Sequence, residues 1–134
     1  MFPVNTNLGP GMSMGFPDVC LVPTPVGPIP TPFPNISMNI MANPGTCSPM
    51  VIADCGMVMN QMSMVMLTNG DNAGAAGGVM SGTMMGPTTQ LLGSFKLLVG
   101  GMPTGHMTSM NMQNLSNVPC GVSIVPSQIK LLAI

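Results

Sequence analysis

The stretch from Asn69 to Pro87, NGDNAGAAGGVMSGTMMGP, holds six glycines and a single charged residue, and it sets the tightest limit on what this chain can become. Glycine has no side chain with which to build a core, and at this density it will not hold a helix. Two readings follow. The segment is either a solvated flexible linker or a crossing between two β layers, where small residues let backbones approach closely and turn at positive φ. Val79, Met80, Met84 and Met85 have no use in a solvated linker, and the apolar segments on both sides have the character of strands.

The rest of the chain points to the same class. No window free of Gly and Pro places apolar residues at i, i+3, i+4 and i+7, so helix is not expected. From Phe16 to Asn35, FPDVCLVPTPVGPIPTPFPN, proline recurs so often that helix and interior strand are both disfavoured. That leaves a Pro-rich linker or groove ligand, or an extended wrap against the domain that uses Val19, Leu21, Val22, Val26, Ile29 and Phe33. Met50 to Leu67 reads as two short strands broken near Cys55-Gly56, with alternate methionines filling a narrow core. Gln90 to Val99 alternates like a strand with one wet face. Thr108 to Asn117 reads as loop, and Val122 to Ile134 as a final strand pair around Pro126 or one bent strand. Residues 1–15 read as an irregular arm. The expectation is a single all-β domain over 1–134 with long Pro/Gly-rich loops.

A faint repeat is also visible. Sliding the chain by 45 residues lays Ile52 to Met57 over Leu97 to Met102, and Met62-Ser63 over Met107-Thr108. The unit is a strand, a glycine turn and a second strand, with a third partial copy in Gly121 to Ile134.

Charge decides which partners are open to it. Only 4% of the residues are charged, with two Lys and Arg together and three Asp and Glu, where ordinary domains carry about 25%. Such a surface associates when free, so a partner is expected to cover much of it. Two lysines cannot neutralise a phosphate backbone, which excludes nucleic acid. No apolar run reaches the ~18 residues of a spanning helix, so stable membrane insertion is not expected. No basic segment precedes an apolar one at the start, as a secretory signal requires. A cytoplasmic chain is expected, with its cysteines as thiols or metal ligands rather than disulfides.

Catalytic constellations are scarce. One His, no Glu, no Arg and three scattered Asp do not assemble an acid/base pair, and no third group orients a Cys–His couple. The glycine stretch lacks the ending of a phosphate-binding loop. What remains is a tetrahedral zinc site gathered from Cys20, Cys47, His106 and Cys120, each beside a Pro or Gly turn, although no CxxC occurs. Cys55, after a strand, reads as a small core residue. The competing reading is that every cysteine is simply buried.

Four blocks, FPDVCLVPTPVGPIPTPFPN, NGDNAGAAGGVMSGTMMGP, GSFKLLVGGMPTGHMTSMNMQN and IVPSQIKLL, resemble in order and spacing the PAAR-like proteins of bacterial type VI secretion. The turn that corresponds to the Pro-Ala-Ala-Arg motif is Met102 to His106, which lacks the arginine. The resemblance implies a small conical stacked-β domain that caps a trimeric valine-glycine repeat spike protein, one copy per trimer, in a contractile injection machine. It implies a non-enzymatic tip, cytoplasmic before firing and secreted with the spike, and an adaptor role toward effector proteins. It also implies zinc held by histidine and cysteine, for which His106 and then Cys20 are the matches. Two other classes stay open: a cysteine-dependent toxin or enzyme module, and a self-assembling surface protein.

Overall fold

Residues 1–133 are described by the computed structural model. Their strands are β1 (Phe2–Pro3), β2 (Met12–Val22), β3 (Ile29–Met38), β4 (Ser48–Ala53), β5 (Gly56–Val58), β6 (Met64–Val65), β7 (Thr68–Asn69), β8 (Thr88–Gln90), β9 (Ser94–Val99), β10 (Met102–Thr104), β11 (Met110–Gln113), β12 (Val118–Val125) and β13 (Leu132–Ala133). Helix is limited, among the described residues, to the single 3₁₀ turns Asn39–Met41 and Pro44–Thr46. The all-β expectation holds. Residues 1–15 are not an irregular arm, since they contain β1 and the start of β2. The segment read as loop, Thr108 to Asn117, contains β11.

Seven strands form one antiparallel sheet in the order β6-β8-β11-β12-β2-β3-β7. Its edge strands β6 and β7 are separated in sequence only by Met66 and Leu67, so the chain itself joins the two margins and the sheet is nearly closed into a barrel. This agrees with a small conical β domain. The proline-rich stretch is not a wrap but the β2–β3 hairpin, lying inside the sheet order. Its prolines fit because Pro30, Pro32 and Pro34 occupy alternate positions. Leu21, opposite Pro30, donates its N–H away from β3 to Gly77 O at 2.8 Å, and Val19, opposite Pro32, accepts from Val79 N at 2.9 Å. The paired positions on β3 therefore also point their nitrogens away from β2, and the missing N–H groups fall on the open margin.

Alternation along the strands is as expected, but its sense is reversed. Ser13, Asn35, Ser37, Asn111, Gln113 and Ser123 face inward and are buried, while their neighbours Met14, Ile36, Met38 and Ile124 are exposed. Buried polar residues outnumber buried apolar ones by more than two to one. Methionine does not fill the core: Met59 is the one buried methionine among those described. The barrel interior is too tight for large side chains. A Cβ on Gly121 would lie 2.2 Å from Asn111 Oδ1, and one on Gly15 2.7 Å from Val118. Some of the small polar groups bond to one another, as Asn5 Nδ2 does to Ser123 Oγ at 3.1 Å and Gln113 Nε2 to Asn111 Oδ1 at 3.1 Å, whereas the side chains of Asn35 and Ser37 are buried without a partner.

Three two-stranded ribbons, β4–β5, β9–β10 and β13–β1, flank the barrel. They are copies of one unit. Ala53 pairs with Gly56, Val99 with Met102 and Ala133 with Phe2. The third ribbon is thus assembled from residues near the two ends of the chain. The first two are related by 46 residues, as Ala53 is to Val99, not by 45. Both turn through left-handed pairs, Asp54 and Cys55 (φ 51 and 67) and Gly100 and Gly101 (φ 64 and 79).

A closed ring ties the three together. Asn5 N donates to Gly105 O (2.8 Å), Gly105 N to Met59 O (3.0 Å) and Met59 N to Asn5 O (2.9 Å). A second threefold set of bonds runs in the opposite sense, from Asn7 N to Met57 O, Gln61 N to Pro103 O and Met107 N to Pro3 O. Val4, Ala53, Val58, Val99 and Ala133 pack as one apolar core at the ribbons, with Val51, Leu97 and Leu131 against it. One residue from each first strand therefore fills each layer, which is an approximate threefold axis within a single chain.

Candidate functional site

Two features stand out, at opposite ends of β2 and β12. At the ribbon end, equivalent positions on the three ribbons expose an aliphatic side chain: Ile52 (65%), Leu98 (56%) and Leu132 (43%). Each follows a residue packed inward, because side chains alternate along a strand. The result is three similar apolar edges around one axis.

At the other end, Asp18 and Cys20 project inward from β2, and Asp71 comes from the glycine-rich segment. All three are fully buried, and one ligand atom from each lies within 4.8 Å of the others. The glycine-rich segment is a close neighbour of β2, not a flexible linker. Cys20 bridges to Gly78, and a Cβ on Gly74 would lie 2.2 Å from Cys20 Cβ. Asn114 and Asn117, from the β11–β12 turn, aim their amides at the group. Asn114 Nδ2 is 2.9 Å from Asp71 Oδ2, 3.2 Å from Asp18 Oδ2 and 3.7 Å from Cys20 Sγ. Asn117 Nδ2 donates to Asp18 Oδ1 and to Val19 O. Cys20 Sγ lies 3.4 Å from Asp18 Oδ1 and 3.5 Å from Asp71 Oδ2.

The two carboxylates meet the Asn114 and Asn117 amides, the Met85 N–H and the Cys20 thiol, and among the described residues no cationic side chain reaches them. Both lysines are exposed, and Lys130 pairs with Asp54 at 2.5 Å. Asp71 Oδ1 is buried with no partner. Burial, reinforced by the Asp18 and Asp71 carboxylates, pushes the Cys20 thiol up to about 12. A nucleophilic cysteine needs the opposite. A buried set of two carboxylates and a thiol with no cationic side chain is instead suited to hold a metal ion.

Of the four ligands expected from sequence, Cys20 alone belongs to this group, which is the one cluster of three or more such residues among those described. Cys47 is buried in a second small core with Ala42, Met59 and Val65, where burial raises its thiol. His106 sits at the ribbon end, stacked on Phe2 with ring centroids 5.8 Å apart. Its Nδ1 is held by Met107 O at 2.6 Å. Cys120 is exposed on β12, and Cys55 is exposed in the β4–β5 turn rather than in the core. Asp18 and Asp71 were missed by the sequence reading. Asp18 had a signal: it lies two residues from Cys20, on the same face of a strand, in a chain with few charges.

A sequence-family profile described as Toxin PAAR-like domain matches residues 11–120. The chain belongs to this family. The match takes in the whole Asp18–Cys20–Asp71 group and two of the three ribbons of the PAAR-like domain, and membership carries an association with type VI secretion. No curated protein and no solved structure matches this PAAR-like chain significantly. No helix among its described residues is long and apolar enough to cross a membrane.

Proposed function

We propose that this PAAR-like domain is the non-enzymatic tip of a type VI spike, seated through its three ribbons on a trimeric valine-glycine repeat protein, one copy per trimer. The observation that carries this reading is the closed ring that makes three equivalent edges from one chain. A single copy meets a threefold partner equally on all sides only if it supplies such edges itself. In this reading the domain is secreted with the spike and offers its remaining surface to effector proteins. The alternative of a cysteine-dependent toxin or enzyme draws no support from Cys20, whose thiol is held protonated.

The test is co-purification with the spike trimer and measurement of the complex mass. A one-to-three complex is expected. Ile52→Asp, Leu98→Asp and Leu132→Asp should each weaken it by a similar factor. Burying such a side chain is worth roughly 1.5–3 kcal/mol, so each loss should be about tenfold or more. A native chain that ignores the trimer, or single variants that bind as well as the native chain, would refute the docking face.

The metal of this reading is zinc, held by Asp18, Cys20 and Asp71. The donor set fits, since zinc accepts carboxylate oxygen and thiolate sulfur, and the sulfur argues against calcium or magnesium. Bound there, zinc supplies a cross-link between β2 and the glycine-rich segment. Asp18, Cys20 and Asp71 would hold the ion, and the Asn114 amide faces all three. Metal analysis should find about one zinc per native chain and almost none in Asp71→Asn. A native chain that excludes zinc when refolded in its presence would remove the metal from this account.

A further inference from the structure

Neither the core nor the docking face accounts for the methionines. The chain has 18 of them, and Met59 alone is buried among those described. Core packing, the usual use of a flexible thioether, therefore explains few. Their placement on the strands is selective. In the β2–β3 hairpin Met12 lies directly opposite Met38, and Met14, two residues further along β2, lies opposite Ile36. Ser13 and Ser37 between them are buried, so Met12, Met14 and Met38 share the outer face of the sheet. Asn39 N donates to Gly11 O at 2.9 Å, which makes Met12–Met38 the adjoining non-hydrogen-bonded pair, the kind in which side chains stand closer. Cβ atoms so paired are about 4.5–5.5 Å apart and diagonal neighbours about 7–8 Å, a gap that a side chain as long as that of Met14 spans. Among the described strands no other register sets one methionine against another. Met64 and Met112 both face Thr89, Met110 faces Val122, Met57 faces Ile52 and Met102 faces Val99. Met12 and Met38 also line a concavity, a groove of about 330 Å³ that they form with Ile36, Asn69 and Gly70.

We propose that Met12, Met14 and Met38 bind a soft monovalent metal ion of the copper(I) class. A thioether is a neutral, polarizable donor that selects such an ion and is a poor ligand for hard ones. No hard donor competes on this face. β3 carries no charged residue, and Asp18, the one charged residue of β2, is buried on the inner side. Neutral ligands leave the ion its whole charge, and holding one charge in a partly apolar groove costs less than holding two. The donors also stand on paired strands, which fix their spacing better than loops would. This site is distinct from the Asp18–Cys20–Asp71 group, which lies inside the barrel, nearer the other end of β2, and offers carboxylates and a thiol.

Isotope labelling of the methionine methyl groups makes each thioether visible by NMR in the full chain, and silver(I), a soft monovalent ion that needs no reductant, is the titrant. The chain carries Cys55→Ser and Cys120→Ser, because those cysteines are exposed and thiolates take up the same ions. The methyl signals of Met12, Met14 and Met38 should shift together and saturate at one ion per chain. That of Met50, 92% exposed on β4, should not move. Copper(I) kept reduced with ascorbate should displace silver from the same three signals. Met38→Leu and Met14→Leu should each weaken binding by about tenfold or more. Their melting temperatures should be retained, since leucine keeps the volume and apolar character of the position. Four outcomes would overturn the proposal: no shift at these three methyls, parallel unsaturated shifts at every exposed methionine, equal affinity in the folded leucine variants, or an equal response of the three signals to zinc(II). The first and second are read on a chain with all its methionines, so they hold even where a leucine variant fails to fold.

Discussion

Replacing Asn114 by leucine is expected to lower the stability of the metal-free domain by about 3–5 kcal/mol, the usual result of removing one partner from a buried charged group. The Asn114 amide donates toward both carboxylates, and its Oδ1 accepts from Thr83 Oγ1 at 3.1 Å and Gly86 N at 2.9 Å. One side chain thus holds the β11–β12 turn, the glycine-rich segment and β2 together. Leucine fills the space but leaves Asp18 and Asp71 without their main shared donor. The position is also left-handed, with φ 49, which asparagine tolerates and leucine does not. Asn114→Gly separates the two effects, because it relieves the backbone and still removes the amide. Urea denaturation in the presence of a chelator is the measurement. If Asn114→Gly is as stable as the native chain, the amide is not what holds the carboxylates.

Gly74→Ala is expected to cost about 1–3 kcal/mol through overpacking. The new Cβ would lie 2.2 Å from Cys20 Cβ, and both atoms are fixed to backbone, so neither can rotate away. Gly82→Ala is the comparison. That glycine has open space around it but φ +68, so its cost is conformational, about 1–2 kcal/mol. Metal affinity divides the two: Gly74→Ala displaces Cys20 and should weaken zinc binding, whereas Gly82→Ala should leave it unchanged. Equal affinity in both variants would mean that the close approach at Cys20 relaxes without consequence.

The class of fold was legible because glycine and proline exclude helix wherever they are dense, and here they are dense throughout. Strand alternation was legible as well, but not its sense. A period of two shows that the two faces differ; it does not say which one is inside when the interior is too narrow for Met or Ile. The ribbons were visible as a repeat. Matching identical residues placed Met57 over Met102, one residue away from the structural partner Gly56, and a slip of one residue exchanges the faces of a strand. The third ribbon could not be found by sliding the chain, since β13 and β1 lie near its opposite ends. Cys47, His106 and Cys120 were grouped with Cys20 because each neighbours a turn, and a turn reports local backbone shape, not proximity across the fold. The carboxylates were set aside as scattered, although two of the three are the residues that meet Cys20.

The alternating prolines of β3 have a consequence for how such an oily molecule stays discrete. A strand margin normally invites another strand to zip onto it, and a barrel this poor in repulsive charge would have little else to prevent fibres from growing. Pro30 and Pro32 remove the amide hydrogens that such zipping needs on the margin that β3 leaves unpaired. The same residues that made this stretch look unfit for a sheet are what let it end one.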